Sequence, residues 1–387
     1  MRSEEISKRR TSMIVLNVKL NNLYAFKNFN ANFTYPKKIV GSTIKDEFLP
    51  ERPNFRYKKI NVFLGANASG KTTFGVILRK IFNFIDKKNY ELITDAICDK
   101  SKEATFVIDL ASKNNIFYRV ICNIEPCIDT KYSFENIKLE IRKENISLKD
   151  SYESCVKRIE NREFNPAENY ITELEQIEEL AWLFVHPRSN QIVFDLPNKD
   201  QKFCFLLEKV LKSLDPSIQS VDVSSEVDNA YVIRFQEKSI VLQNDQRIDD
   251  TSFLSSGTRS GIVISQTLYS LMQGRNSFYY CDEKFSFIHS DIEKAILSLM
   301  IDFVGPCDQL FFTTHNTDVL DMDLPKHTFS FLRKNVNNFE CPITYVEASS
   351  LLKRSTDSLR NAVENDLFLS APSTELIYSI ANLKRKE

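Results

Sequence analysis

An α/β fold organised around a phosphate-binding loop is what this sequence predicts, on three observations. Lys59 to Thr73 read KINVFLGANASGKTT: an apolar run, Ile60 to Leu64, gives way to Gly65-x4-Gly70-Lys71-Thr72, the full G-x4-G-K-[S/T] pattern. Behind the loop, Phe74, Ile77, Leu78, Ile81, Phe82 and Ile85 recur at the spacing of a helix with one buried face. Further along, Ser277 to Glu283 and Gln309 to His315 are short apolar runs that end in two carboxylates and in a histidine, as buried strands do when they deliver polar side chains to one end of a sheet.

The loop comes first because its chemistry is the most specific. A triphosphate needs many donors at close range, and glycines let the backbone curl until successive N–H groups point inward. The helix that begins there adds the positive end of its dipole. Lys71 would reach the β- and γ-phosphates and the Thr72 hydroxyl would ligate Mg²⁺. Glycine usage supports this: the chain has 8 glycines in 387 residues, and Gly65, Gly70, Gly75, Gly257 and Gly261 fall in two short windows. Those windows are expected to need backbone shapes that other residues avoid.

The totals bound the rest. At 387 residues and 42% hydrophobic content the chain can bury a sizeable core. A formal net charge of −1 imposes no overall basic field for nucleic acid. Eight cysteines without a CxxC pair read as reduced thiols. MRSEEISKRR at the start lacks the apolar core of a signal peptide, and no apolar run is long enough to span a bilayer. A soluble, cytoplasmic protein without a membrane partner is expected.

In chain order, Met13 to Phe33 alternate as two or three strands, expected to pair with the phosphate-loop strand. Residues 36 to 59, with Pro36, Pro50 and Pro53, read as a surface loop ending in a basic cluster, Arg56-Tyr57-Lys58-Lys59, expected as a solvated edge, with a nucleotide contact as the alternative. Ala104 to Ile124 form a hairpin about Ser112-Lys113-Asn114-Asn115, continued by a run near Tyr132 to Ile146. Residues 147 to 215 are charged and helical in pattern, with a helix start at Asn165-Pro166-Ala167-Glu168, a stripe through Ile171, Leu174, Ile177 and Ala181, and a solvated Glu face at 173, 175, 178 and 179. His186-Pro187-Arg188 end that helix without an assigned role. Val221 to Leu242 return to strand character.

Leu254-Ser255-Ser256-Gly257 then open an apolar helix running from Ile262 to Met272 and closed by Gly274, either an anion site or an ordinary cap. Asp282 and Glu283 follow their strand in the order that metal-dependent phosphoryl transfer requires, Asp282 to hold Mg²⁺ and Glu283 to orient and deprotonate water. Ser290 to Glu293 read as a capping box. His315 stands where it would sense or stabilise a γ-phosphate.

This ordered set resembles the ATP-binding-cassette ATPase heads of the SMC and RecF class, and most closely the cytosolic ATPases related to the overcoming-lysogenisation-defect (OLD) proteins. GANASGKTT matches Walker A, giving Gly65, Asn67, Ala68, Ser69, Gly70, Lys71, Thr72 and Thr73 as nucleotide contacts. LSSGT, through Ser255, Ser256 and Gly257, matches the signature motif; YYCDE, with Asp282 and Glu283, matches Walker B. His289-Ser290-Asp291 fall at the D-loop, and TTHN carries the switch histidine, His315. LSSGT departs from the LSGGQ of transporters, no Q-loop glutamine can be placed, and no acidic cluster of a TOPRIM nuclease follows.

The resemblance implies a phosphate-loop ATPase of cassette type: a mixed sheet core with an N-terminal antiparallel β lobe (13–146), a helical insertion (147–215), a second lobe (216–345) and a C-terminal helical segment (346–387), all in one domain. It implies ATP and Mg²⁺ as cofactors, and a head-to-tail homodimer or higher even oligomer in which Ser255 and Gly257 meet the γ-phosphate held by the other copy. It also implies antiviral defence beside a separate effector such as a nuclease. A RecF-like clamp that grips DNA, and a scaffold that binds ATP without turnover, remain open as alternatives.

Overall fold

The computed structural model describes residues 12–38, 41–128, 131–161, 169–185, 196–243, 254–283, 285, 288–335, 337–354, 357–368 and 375–380. The chain opens with strands β1 (Met13–Asn21), β2 (Phe29–Asn32), β3 (Phe48–Leu49), β4 (Arg52–Arg56) and β5 (Ile60–Leu64). Helices α1 (Lys71–Lys87) and α2 (Glu91–Thr94) lead into β6 (Ala104–Ser112), β7 (Ile116–Ile124) and β8 (Ile137–Asn145). Next come α3 (Tyr152–Glu160), α4 (Tyr170–Leu174), β9 (Trp182–Val185), α5 (Gln201–Leu214), β10 (Ile218–Val223), β11 (Ala230–Phe235) and β12 (Ser239–Gln243). The remainder holds α6 (Ser256–Gln273), β13 (Phe278–Asp282), α7 (Ser290–Phe303), β14 (Gln309–Thr313), β15 (Phe329–Lys334), β16 (Ile343–Glu347), α8 (Ala348–Leu351), α9 (Leu359–Glu364) and α10 (Glu375–Ser379).

The central sheet runs β16-β15-β5-β14-β13-β9, parallel throughout except for β16. INVFL, FYYCD and QLFFT are buried at every position, as strands covered on both faces must be. Alternate residues supply two cores. Ile60, Val62, Tyr279, Cys281, Leu310 and Phe312 face α5, α6 and α7, whereas Phe63, Phe278, Tyr280 and Phe311 face α1. Helix α1 buries the expected stripe, Phe74, Ile77, Leu78, Ile81, Phe82 and Ile85, between the central sheet and a second, antiparallel sheet of order β2-β1-β6-β7-β8. The mixed α/β architecture with its antiparallel β lobe is the one the sequence predicts.

Several expectations are corrected. Strand β1 pairs with β2 on one side and β6 on the other, and neither β1 nor β2 pairs with β5; alternation reveals a strand but not its neighbour. One link from β1 to the central sheet is instead Gln309, fully buried at the start of β14. Its Oε1 accepts from the Val15 N–H at 2.6 Å, and its Nε2 donates to the carbonyls of Val15 (3.0 Å) and Lys58 (2.9 Å). The stretch 36 to 59 is not a bare surface loop, since β3 and β4 pair within it and Leu49, Phe55 and Tyr57 are buried. Lys58 is neither solvated nor turned to the nucleotide loop: its ammonium is buried, donating to Tyr345 Oη at 2.9 Å and pairing with Glu347 at 3.0 Å.

The stretch read as helical contributes β9, which extends the central sheet beside β13; its four apolar letters, WLFV, suit a buried strand. The Asn165 to Glu168 helix start and His186-Pro187-Arg188 lie outside the described residues. Helix α4 is capped by Asn169, whose side chain accepts from the Ile171 N–H, and it ends before Ile177. The Glu face is not wholly solvated. Glu173 is buried and accepts from Gln176, and Glu178 accepts from Ser112, Asn114 and Tyr118 across the antiparallel lobe.

Candidate nucleotide-binding site

The site begins where β5 stops. Gly65 holds φ at +152°, and a Cβ there would stand 2.6 Å from the Leu332 carbonyl of the adjoining strand, so the tight exit from the sheet requires glycine. Ala68 also adopts a left-handed backbone, φ 63°, and α1 starts at Lys71 directly behind Gly70. Gly75 and Gly261 lie inside helices, so their role is close approach and not an unusual backbone. A Cβ on Gly75 would fall 2.4 Å from Tyr280 Cε1, and one on Gly261 would fall 2.7 Å from Leu214 of α5. The room at Gly75 lets Tyr280, on β13, donate its hydroxyl to the Lys71 carbonyl at 2.9 Å. The loop and the carboxylate strand are thereby held together.

Asp282 ends β13 in full burial, its Oδ1 accepting from Thr313 Oγ1 at 2.7 Å. Glu283 leaves the strand with a left-handed backbone, φ 42°, and its N–H donates to the same Thr313 hydroxyl at 3.0 Å. Its carboxylate is thus turned away from the core. Glu283 Oε1 lies 2.7 Å from His315 Nε2 and 3.5 Å from Lys71 Nζ, and Lys71 Nζ stands 3.4 Å from His315 Nδ1. A neutral imidazole carrying its proton on Nε2 meets both contacts, donating to Glu283 and accepting from Lys71. The ammonium also donates to the carbonyls of Gly65 (2.7 Å) and Ala66 (3.2 Å).

Burial raises the Glu283 carboxyl, but the hydrogen bond from His315 and the nearby Lys71 ammonium outweigh it, leaving the group below the ordinary glutamate range. For Lys71 the balance falls the other way. Desolvation exceeds the support of Glu283 and Asp282, so its ammonium sits below the ordinary lysine range.

These groups open on one cleft of about 490 Å³, lined by Asn67, Ala68, Ser69, Gly70, Lys71, Thr72, Thr73, Glu283 and His315 together with Ala25, Lys334 and Ile343. Gly65 lines the neighbouring hollow on the other side of the loop. Ser255, Ser256 and Gly257 do not line the cleft. They form the start of α6, where Ser255 Oγ accepts from the Thr258 N–H at 3.0 Å and both serines are exposed. Asp282 does not line it either, lying one residue behind Glu283. Tyr280, Thr313, Ala25, Lys334 and Ile343 belong to the site without having been singled out. The aromatic pair before Asp282 and the threonine before Thr314-His315 were visible, while the other three carry no motif.

As metal donors, Thr72 and Asp282 offer a hydroxyl and a carboxylate, the hard oxygens that suit Mg²⁺. No group of three or more His, Cys, Asp or Glu that could hold a metal exists among the described residues. A site built on these two would leave most of the ion's shell to water and phosphate, which Mg²⁺ accepts. The capping box expected at Ser290 to Glu293 does not form. His289 is the N-cap, its Nδ1 accepting from the Asp291 N–H at 3.2 Å, and Glu293 turns inward instead.

Fold and loop together define a mixed α/β protein with a phosphate-loop pattern at the end of its central sheet, the fold of the ATP-binding-cassette heads. Its particular likeness is to Smc heads: the SmcHead bound to the C-winged helix domain of ScpA aligns with a TM-score of 0.51 at 11% identity, over 87% of this chain and 99% of that one. An Smc head domain with an extended coiled coil, from Pyrococcus furiosus, gives 0.49 at 11% identity over 88% and 98%, and the recombination mediator protein RecF-ATPrS gives 0.45 at 9% over 88% and 99%. No family model and no curated protein matches the chain. No helix among the described residues is long and apolar enough to cross a membrane.

Proposed function

We propose that this chain is an ATPase that switches between separate and ATP-joined copies. The observation that carries the reading is the convergence of Lys71, Glu283 and His315 within 3.5 Å of one another at the wall of a cleft floored by a phosphate loop. The loop amides and Lys71 bind and orient the triphosphate. Glu283, ionised at neutral pH, accepts a proton from the attacking water. The water oxygen bonds the γ-phosphorus as its bond to the β-phosphate oxygen breaks, and ADP and phosphate leave. His315 holds the Glu283 carboxylate in place. Mg²⁺, held by Thr72 and Asp282, would supply neutralisation of the charge on the phosphate oxygens.

The exposed serines at the start of α6, apart from the cleft, support a composite site in which Ser255, Ser256 and Gly257 of one copy close on nucleotide held by another. The biological setting, antiviral defence beside a separate effector, rests on the resemblance of the motifs.

The test is Glu283→Gln. Turnover should fall about 100-fold or more, with ATP binding retained and a dimer accumulating in sedimentation when ATP is present. Undiminished turnover would assign the base to another residue. A native chain that neither binds nor hydrolyses ATP would overturn the reading altogether.

A further inference from the structure

We propose that Glu293 is a positioning residue for His315, a role that rests on the ATPase reading above. Glu293 sits one turn into α7 and is 3% exposed. Its two carboxylate oxygens take one hydrogen bond from each residue flanking the histidine: Oε1 accepts from Thr314 Oγ1 at 2.6 Å, and Oε2 accepts from Asn316 Nδ2 at 2.7 Å. The flanks are then cross-tied. The Asn316 N–H donates to Thr314 Oγ1 (3.0 Å), Asn316 Nδ2 also reaches Ser290 Oγ (3.0 Å), and Asn316 Oδ1 accepts from the Asp318 N–H (2.9 Å).

The peptide carrying His315 is therefore tethered on both sides by Glu293. Among the described residues the imidazole's hydrogen-bond partners are Glu283 and Lys71, and its side chain is 36% exposed. Burying a carboxylate is costly unless its acceptors are used, and here both oxygens serve the single segment that presents the histidine. Burial raises the Glu293 carboxyl, and the Thr314 and Asn316 donors only partly offset it.

Glu293→Ala, Glu293→Gln and Thr314→Val in the full chain test the role by ATP affinity, turnover and amide hydrogen exchange. Misplacing a catalytic group by about 1 Å costs up to about 100-fold. Glu293→Ala should therefore lower kcat about 10- to 100-fold while ATP affinity moves less than about 3-fold. Exchange at the Asn316 and Asp318 amides should quicken about 10-fold or more, with β14 unchanged. Glu293→Gln keeps the shape and an acceptor and should recover most of the lost turnover. Native kcat in Glu293→Ala, or exchange that quickens uniformly across the chain, would overturn the proposal. Should Glu293→Ala fail to fold, Thr314→Val, which removes one bond without stranding a charge, must show the same split on a smaller scale; native kcat and exchange there would equally refute it. A native chain without ATP turnover defeats the ATPase reading, while the exchange measurement still decides whether Glu293 orders the segment.

Discussion

Replacing Gly75 by alanine probes the contact that joins the loop helix to the carboxylate strand. The added methyl would sit 2.4 Å from Tyr280 Cε1, 2.8 Å from Cζ and 3.0 Å from Cδ1, so the ring or the helix must shift by about 1 Å to restore an ordinary contact. Overpacking of this kind costs about 1–3 kcal/mol. Loss of the Tyr280 hydroxyl bond to the Lys71 carbonyl adds about 1 kcal/mol. Alanine regains about 1 kcal/mol through helix propensity. The expected result is a net loss of about 1–3 kcal/mol, read as a lower urea midpoint at unchanged slope. ATP affinity should fall as well, because the displaced ring no longer fixes the start of α1. Combining Gly75→Ala with Tyr280→Leu removes the atoms struck and should be about 1 kcal/mol or more better than the sum of the single changes. A Gly75→Ala protein as stable as the native chain, or strict additivity in the pair, would refute the argument.

Lys71→Ala removes a charged donor from the loop; at about 1.5–3 kcal/mol per charge-assisted bond, ATP should bind about 10- to 150-fold more weakly by calorimetry, and unchanged affinity would dismiss the loop assignment. Asp308, ahead of β14, is pushed up from 3.8 to about 6 by burial, only partly relieved by the Gly305 N–H and by Lys59 and Lys113. The folded chain thus holds that proton more tightly than the unfolded one, so stability is fully present below about pH 4 and is lost as pH climbs towards 6. Asp308→Asn should be more stable than the native chain at pH 7 by up to about 3 kcal/mol, with the gap closing towards pH 4; a gap independent of pH in denaturant titrations would remove the explanation.

The parts legible in the sequence were those whose chemistry is local. The glycine loop, the α1 stripe, the two strands ending in Asp282-Glu283 and Thr314-His315, and the 112–115 hairpin all announce themselves within a dozen residues, and the structure bears out each as an element. What was not legible depends on distant partners. Lys58 reads as a solvated base until Tyr345 and Glu347, nearly 290 positions away, cover it. Glu293 fits a capping box by spacing, but His289 takes the cap and Thr314 and Asn316 draw the carboxylate inward. The pairing of β1 with β2 and β6 was equally hidden, since alternation fixes which face is buried and says nothing of the neighbour. Ala25, Lys334 and Ile343 reach the cleft wall only because the fold brings three separate turns and strands to it.

Gln309 joins the two sheets through a single buried side chain. One amide side chain is bonded to the backbone of β1 and to Lys58, two residues ahead of the phosphate-loop strand, and it stands at the near end of the strand whose far end runs into His315. Through this one side chain and the five-residue strand behind it, the antiparallel lobe and the segment carrying the histidine share a direct connection.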